Sequence, residues 1–86
     1  MIKVGYTHEF VRVYGKLPDV LKHAVKRKIL LFQDRNNHRQ LEVHKLHGKY
    51  KGFFSFSIDR KFRIMFEWIS SEEARLHTIG DHSIYD

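Results

Sequence analysis

The stretch "FFSFSIDRKFRIMFEW", residues 53–68, constrains the fold of this chain more than any other. Phe54, Phe56 and Ile58 alternate with Ser55 and Ser57, and Phe62, Ile64, Phe66 and Trp68 alternate with Arg63, Met65 and Glu67. A period of two marks strands with one apolar face. The short link "DRK" makes the two a hairpin. "SSEE" is then a second turn and "ARLHTI" a third strand, which completes an antiparallel meander. A sheet with one apolar face has to be covered. The cover must come from the N-terminal half.

That half supplies it. "MIKVGYT" alternates Ile2, Val4 and Tyr6 and reads as a short strand. Thr7 is placed to cap a helix carrying Phe10, Val13, Tyr14 and Leu17. Gly15 suits its end, and Pro18 suits the first turn of a second helix. Leu21, Ala24, Val25, Ile29 and Phe32 mark one face of that helix, with Lys22, His23, Lys26 and Arg27 on the other. It should fade in the polar loop "QDRNNHRQ". "LEVHKLHGKYKG" reads as a connector in which Gly48 and Gly52 bracket a basic turn. No repeat or interdomain linker interrupts the order. The expectation is a single α+β domain over residues 1–86: an N-terminal strand, a two-helix hairpin, and a three-stranded meander with both helices on one face. An apolar share of 42% with 14% aromatics suffices for one modest core.

The other sheet face is where function is expected. It carries serines, Arg63 and Glu67, too polar for a core, and is expected to be solvated. Basic and imidazole groups approach it from the connector and from the tail "IGDHSIYD". Gly80 is expected to end the last strand and turn His82 and Tyr85 back over this face, near Arg63. Sixteen Lys and Arg against ten Asp and Glu give +6, with seven histidines besides. Such a balance favours a polyanion or an acidic protein partner, although an inert basic surface has the same composition. No apolar run is long enough to span a bilayer, and the opening segment does not read as a secretory signal. The chain has no cysteine, which excludes disulfides and thiolate zinc sites and fits the cytoplasm. His44-x-x-His47 and His77-x4-His82 are conceivable metal pairs, but no cysteine or spaced carboxylate accompanies them, so no metal is expected.

At "HKLHGKYKGFFSFSIDRKFRIMFEW" and "IGDHSIYD" the chain resembles the RelE/ParE superfamily of type II toxin–antitoxin toxins, in particular its YafQ-like branch. The residues that carry the likeness are His44-Lys45-Leu46, Gly48, Lys51-Gly52, the "FRIMF" strand and Gly80-x-His82. The resemblance implies a metal-independent endoribonuclease, without cofactor, that cuts messenger RNA on the ribosome and is silenced by a cognate antitoxin. It assigns acid–base roles to His44 and His82, contact with the scissile phosphate to Arg63, and a tail aromatic to Tyr85. The chain departs from both branches. Ser57 and Lys61 stand where YafQ-like toxins carry a strand histidine and a nearby aspartate, and Phe54 and Phe56 stand near the paired strand lysines of RelE-like toxins. The same superfamily contains ParE-like gyrase inhibitors, so a gyrase poison is the alternative. A decayed toxin that only binds its antitoxin is another.

The chemistry of these side chains suits RNA cleavage without a metal. One group must take the 2′-hydroxyl proton, one must steady the phosphorane and one must protonate the leaving oxygen. Histidine serves the first and third roles near neutral pH. Arginine serves the second, because its planar fork matches two phosphate oxygens. Lys45, His47, Lys49, Lys51, Arg60 and Lys61 are candidates for RNA backbone contacts. Against this, His44 is equally a solvated loop histidine, His82 a tether for the tail, and Arg63 a surface partner of Glu67. His8, His23, His38 and His77 read as surface or packing residues. Phe53 is a candidate for stacking on a base.

Overall fold

The computed structural model describes residues 1–81. His82 and Tyr85, with the expected return of the tail over the sheet, lie outside the described residues. Five strands and two helices follow the chain as β1 (Lys3–Tyr6), α1 (His8–Gly15), α2 (Asp19–Phe32), β2 (His44–Lys45), β3 (Phe54–Ser57), β4 (Phe62–Ser70) and β5 (Glu73–Asp81). Their sheet order is β1-β5-β4-β3-β2. The meander expected from the alternation is present, and β1 joins it beside β5 in parallel, pairing Lys3 with Glu73 and Tyr6 with Leu76. The α+β architecture is as expected. Two details differ. The connector contains a strand, β2, whose His44 and Lys45 pair with Ser55 and Phe54. Gly80 does not end β5 but lies within it, opposite Arg63.

Local chemistry explains the boundaries. Thr7 caps α1 as expected, its Oγ1 accepting from the Phe10 amide at 3.0 Å. Pro18 is the residue just before α2, one position earlier than its expected place, and Gly15 closes α1. Asp59 shapes the hairpin between β3 and β4: its Oδ1 accepts from the Lys61 and Phe62 amides at 2.8 and 2.7 Å. Gly48 and Gly52 bracket a short 3-10 turn with φ of 66° and 96°, a region in which glycine carries no Cβ penalty.

Both helices cover one face. Val25, Ile29 and Phe32 of α2 and Phe10 of α1 pack with Phe56, Ile64, Phe66, Ala74, Leu76 and Ile79. Phe32 is the hub, stacked on Phe56 at 4.4 Å between centroids and meeting Phe66 edge-on at 4.9 Å. His38 stacks on Phe32 at 4.8 Å and its Nε2 donates to the Phe32 carbonyl at 2.7 Å, so it is a packing histidine. Among the described residues, no helix is long and apolar enough to cross a membrane.

The register between β4 and β5 slips twice, once in mid-strand and once near the turn, between Trp68 and Ser70. Met65 faces Thr78 but Phe66 faces Leu76, so His77 is an extra residue in β5. A bulge of this kind re-aims a side chain without ending the ladder.

Candidate functional site

The uncovered face of the sheet is less solvated than its composition suggests. Ser55 is fully buried and Arg63 is only 5% exposed. A buried guanidinium must be hydrogen-bonded, and its partners are specific. Arg63 Nε donates to Ser55 Oγ at 2.9 Å, from the adjacent strand. Nη2 donates to the Glu42 carbonyl at 2.9 Å, and Nη1 lies 3.9 Å from the Glu42 carboxylate, whose side chain is largely exposed. Glu67, weighed above as the surface partner of Arg63, is taken up by His77 Nε2 at 2.8 Å and Arg75 Nη1 at 3.5 Å.

The Glu42 carbonyl organises a second side chain. His44 Nδ1 lies 2.8 Å from it and 3.1 Å from Arg63 Nη2. A carbonyl cannot donate, so the shorter contact requires Nδ1 to carry the proton. The carbonyl then accepts from both Nδ1 and Nη2, one lone pair each. In the neutral ring this leaves the lone pair on Nε2, and the His44 side chain is exposed. Glu42 presents its carbonyl by adopting φ of 55°, where non-glycine residues are strained by about 1–2 kcal/mol. Outliers of this kind concentrate at functional sites.

Beside this pair runs a basic groove of about 470 Å³. Lys45, His47 and Lys51 line it with Phe53 and Phe54. Lys49 is exposed in the adjoining turn, its Nζ 5.2 Å from the Tyr50 ring. Arg60 and Lys61 sit apart from the groove, in the β3–β4 turn; Lys61 Nζ lies 5.4 Å from the Phe62 ring. The structure therefore brings together Arg63 and His44; Lys45, His47 and Lys51 line the separate groove that begins one residue farther along the chain, where Lys45 pairs with the core-side Phe54. Ser57, which stands where YafQ-like toxins have a histidine, donates to the Asp59 carbonyl at 2.9 Å and holds the turn. Among the described residues no three His, Cys, Asp or Glu side chains gather as metal ligands would. Ser55 and Glu42, which hold Arg63, were not singled out from the sequence. Ser55 reads as one of several polar strand positions, and nothing local marks the Glu42 carbonyl.

No protein-family model matches the sequence, and no curated protein does. Solved structures do. The toxin–antitoxin complex RelBE2 from Mycobacterium tuberculosis superposes with a TM-score of 0.72 at 18% identity, covering 94% of this chain and 98% of that one. A conserved hypothetical protein from Helicobacter pylori gives 0.69 at 21% identity, covering 96% and 97%. The DinJ–YafQ complex from E. coli gives 0.67 at 15% identity, covering 98% and 97%. The chain has the fold of the RelE/ParE-like toxins, YafQ-like members among them.

Proposed function

We propose that this chain is the toxin of a type II toxin–antitoxin pair and acts as a metal-independent endoribonuclease on messenger RNA at the ribosome. The observation that carries the reading is the pairing of Arg63 and His44 on one carbonyl: a fixed cation directly behind an exposed imidazole, at the edge of a basic groove. His44 Nε2 takes the 2′-hydroxyl proton. The scissile phosphate comes to the Arg63 guanidinium by displacing the Glu42 carboxylate, an anion held by one contact of 3.9 Å and otherwise in solvent. The charge of Arg63 then stabilises the phosphorane. His82 protonates the leaving 5′-oxygen and Tyr85 contributes from the tail, roles carried over from the resemblance alone. Lys45, His47, Lys49 and Lys51 hold the RNA backbone, with Arg60 and Lys61 as outlying contacts.

The partners follow from the same reading. Several of the solved structures of this fold are complexes with antitoxins, DinJ and RelB among them. A cognate antitoxin therefore silences this chain, and its contact segment is acidic or amphipathic to match the +6 charge.

The experiment is primer extension on messages in purified ribosome complexes, with thermal unfolding of each variant. Wild type should cut within codons. His44→Ala should lower the rate by about two to four orders of magnitude with little change in Tm, since the ring is exposed. His82→Gln should fall comparably. Intact messages accompanied by DNA damage in cells would instead identify a gyrase poison. Wild-type cutting by a folded His44→Ala chain would remove the imidazole from the mechanism.

A further inference from the structure

Farther along β4, on the same sheet face as Arg63, lies a second set of polar side chains that the proposed cleavage does not use. Glu67 is four residues from Arg63 on one strand, about 13 Å away. His77, the extra residue of the β5 bulge, reaches Glu67 Oε1 with Nε2 at 2.8 Å, and Arg75 Nη1 reaches the same oxygen at 3.5 Å. The Phe53 ring, from just before β3, meets His77 edge-on at 4.9 Å and also lines the basic groove. The bulge is fastened from behind: Thr7 Oγ1 donates to the His77 carbonyl at 2.8 Å and the Thr7 amide to the Leu76 carbonyl at 3.1 Å. The fold thus spends a bulge and a cap contact to hold this histidine against this carboxylate.

We propose that Phe53, Glu67, Arg75 and His77 form a subsite that reads a guanine base of the RNA. The inference rests on the nuclease reading above and adds the base it selects. A carboxylate repels phosphate, so the use of Glu67 on a nucleic-acid face is to meet a base edge. The contact is half-buried, and Thr7 fixes the bulge that delivers it, so the carboxylate is held in one orientation. Phe53 is half-buried beside the groove and offers a ring for stacking. Arg75 and Glu67 then stand side by side as donor and acceptor. Guanine presents the complement on its Watson–Crick edge: O6 accepts from Arg75, while N1–H and N2–H donate to the carboxylate. Adenine and cytosine present a donor where Arg75 donates, and an acceptor toward the carboxylate. Uracil matches at O4 and N3–H but sets O2 against the carboxylate. His77 keeps Glu67 oriented through Oε1 and is a positioning residue.

The test compares cutting rates on ribosome-bound messages that differ only in one base near the cut, taken in turn as G, A, C and U. Wild type should favour guanine at one position by about tenfold or more. The ratio of guanine to adenine rates should collapse in Glu67→Gln, whose amide donates where N1–H needs an acceptor. It should also fall in Arg75→Gln, an exposed position where folding is not at risk. Base-indifferent cutting by wild type, or a guanine preference intact in both variants, overturns the subsite and leaves the nuclease standing. Absence of cutting at every base by wild type overturns the nuclease reading, and the subsite with it.

Discussion

Glu42 joins two effects that substitution can separate. Its backbone is in the left-handed region and its carbonyl serves Arg63 and His44, whereas its carboxylate is a distant, exposed partner of Arg63. Glycine occupies φ of 55° without the Cβ penalty and keeps the carbonyl. Glu42→Gly should therefore raise stability by up to about 1 kcal/mol, the relieved strain exceeding the lost surface pair. Urea unfolding measures it, and a loss above that size would mean the carboxylate holds Arg63 far more tightly than 3.9 Å implies. Arg63→Lys should go the other way. One ammonium cannot reach Ser55 Oγ and the Glu42 carbonyl together, so a buried acceptor is left bare at about 1–3 kcal/mol, and cleavage is lost with it.

At the scale of elements, the bulge in β5 and the N-terminus of α1 are one device. Thr7 Oγ1 accepts from the Phe10 amide and donates to the His77 carbonyl, joining helix and sheet through a single hydroxyl. Thr7→Ala should cost about 2 kcal/mol, roughly one for the cap and one for the sheet bond. Thr7→Ser should recover most of it, because the hydroxyl returns. Equal losses in Thr7→Ala and Thr7→Ser would show that the γ-methyl packing matters and the hydroxyl does not. β2 is the complementary case. Two residues long and at the sheet edge, it gains little on its own, yet its pairing with β3 sets His44 beside Ser55 and hence beside Arg63.

For the whole molecule, the +6 charge predicts how RNA binding responds to salt. A strand held by Lys45, Lys49 and Lys51 should lose affinity with a slope of about −2 in log K against log salt. Lys45→Gln or Lys51→Gln should each flatten that slope by about 0.7, with a uniform loss across sequences, measured by anisotropy on short RNA under Arg63→Lys to suppress cutting. Glu67→Gln should leave the slope unreduced, since it removes no cation. A slope unaffected by either lysine would place the RNA elsewhere on the surface.

The sequence alone determined what depends on neighbours along the chain. The alternation over residues 53–68 specified the hairpin, Thr7 the cap of α1, and the spacing of Val25, Ile29 and Phe32 the buried face of α2, because period and capping are local properties. The pairing of Arg63 with His44 was legible only as two residue types suited to one chemistry. Tertiary structure decided what depends on register and on distant partners. The parallel docking of β1, the slip that aims His77 at Glu67, the burial of Arg63 against Ser55, and the reach of Arg63 to the strained Glu42 carbonyl all arise between segments eight to seventy residues apart. A one-residue slip between strands changes no letter of the sequence but moves a side chain to the opposite face of the sheet.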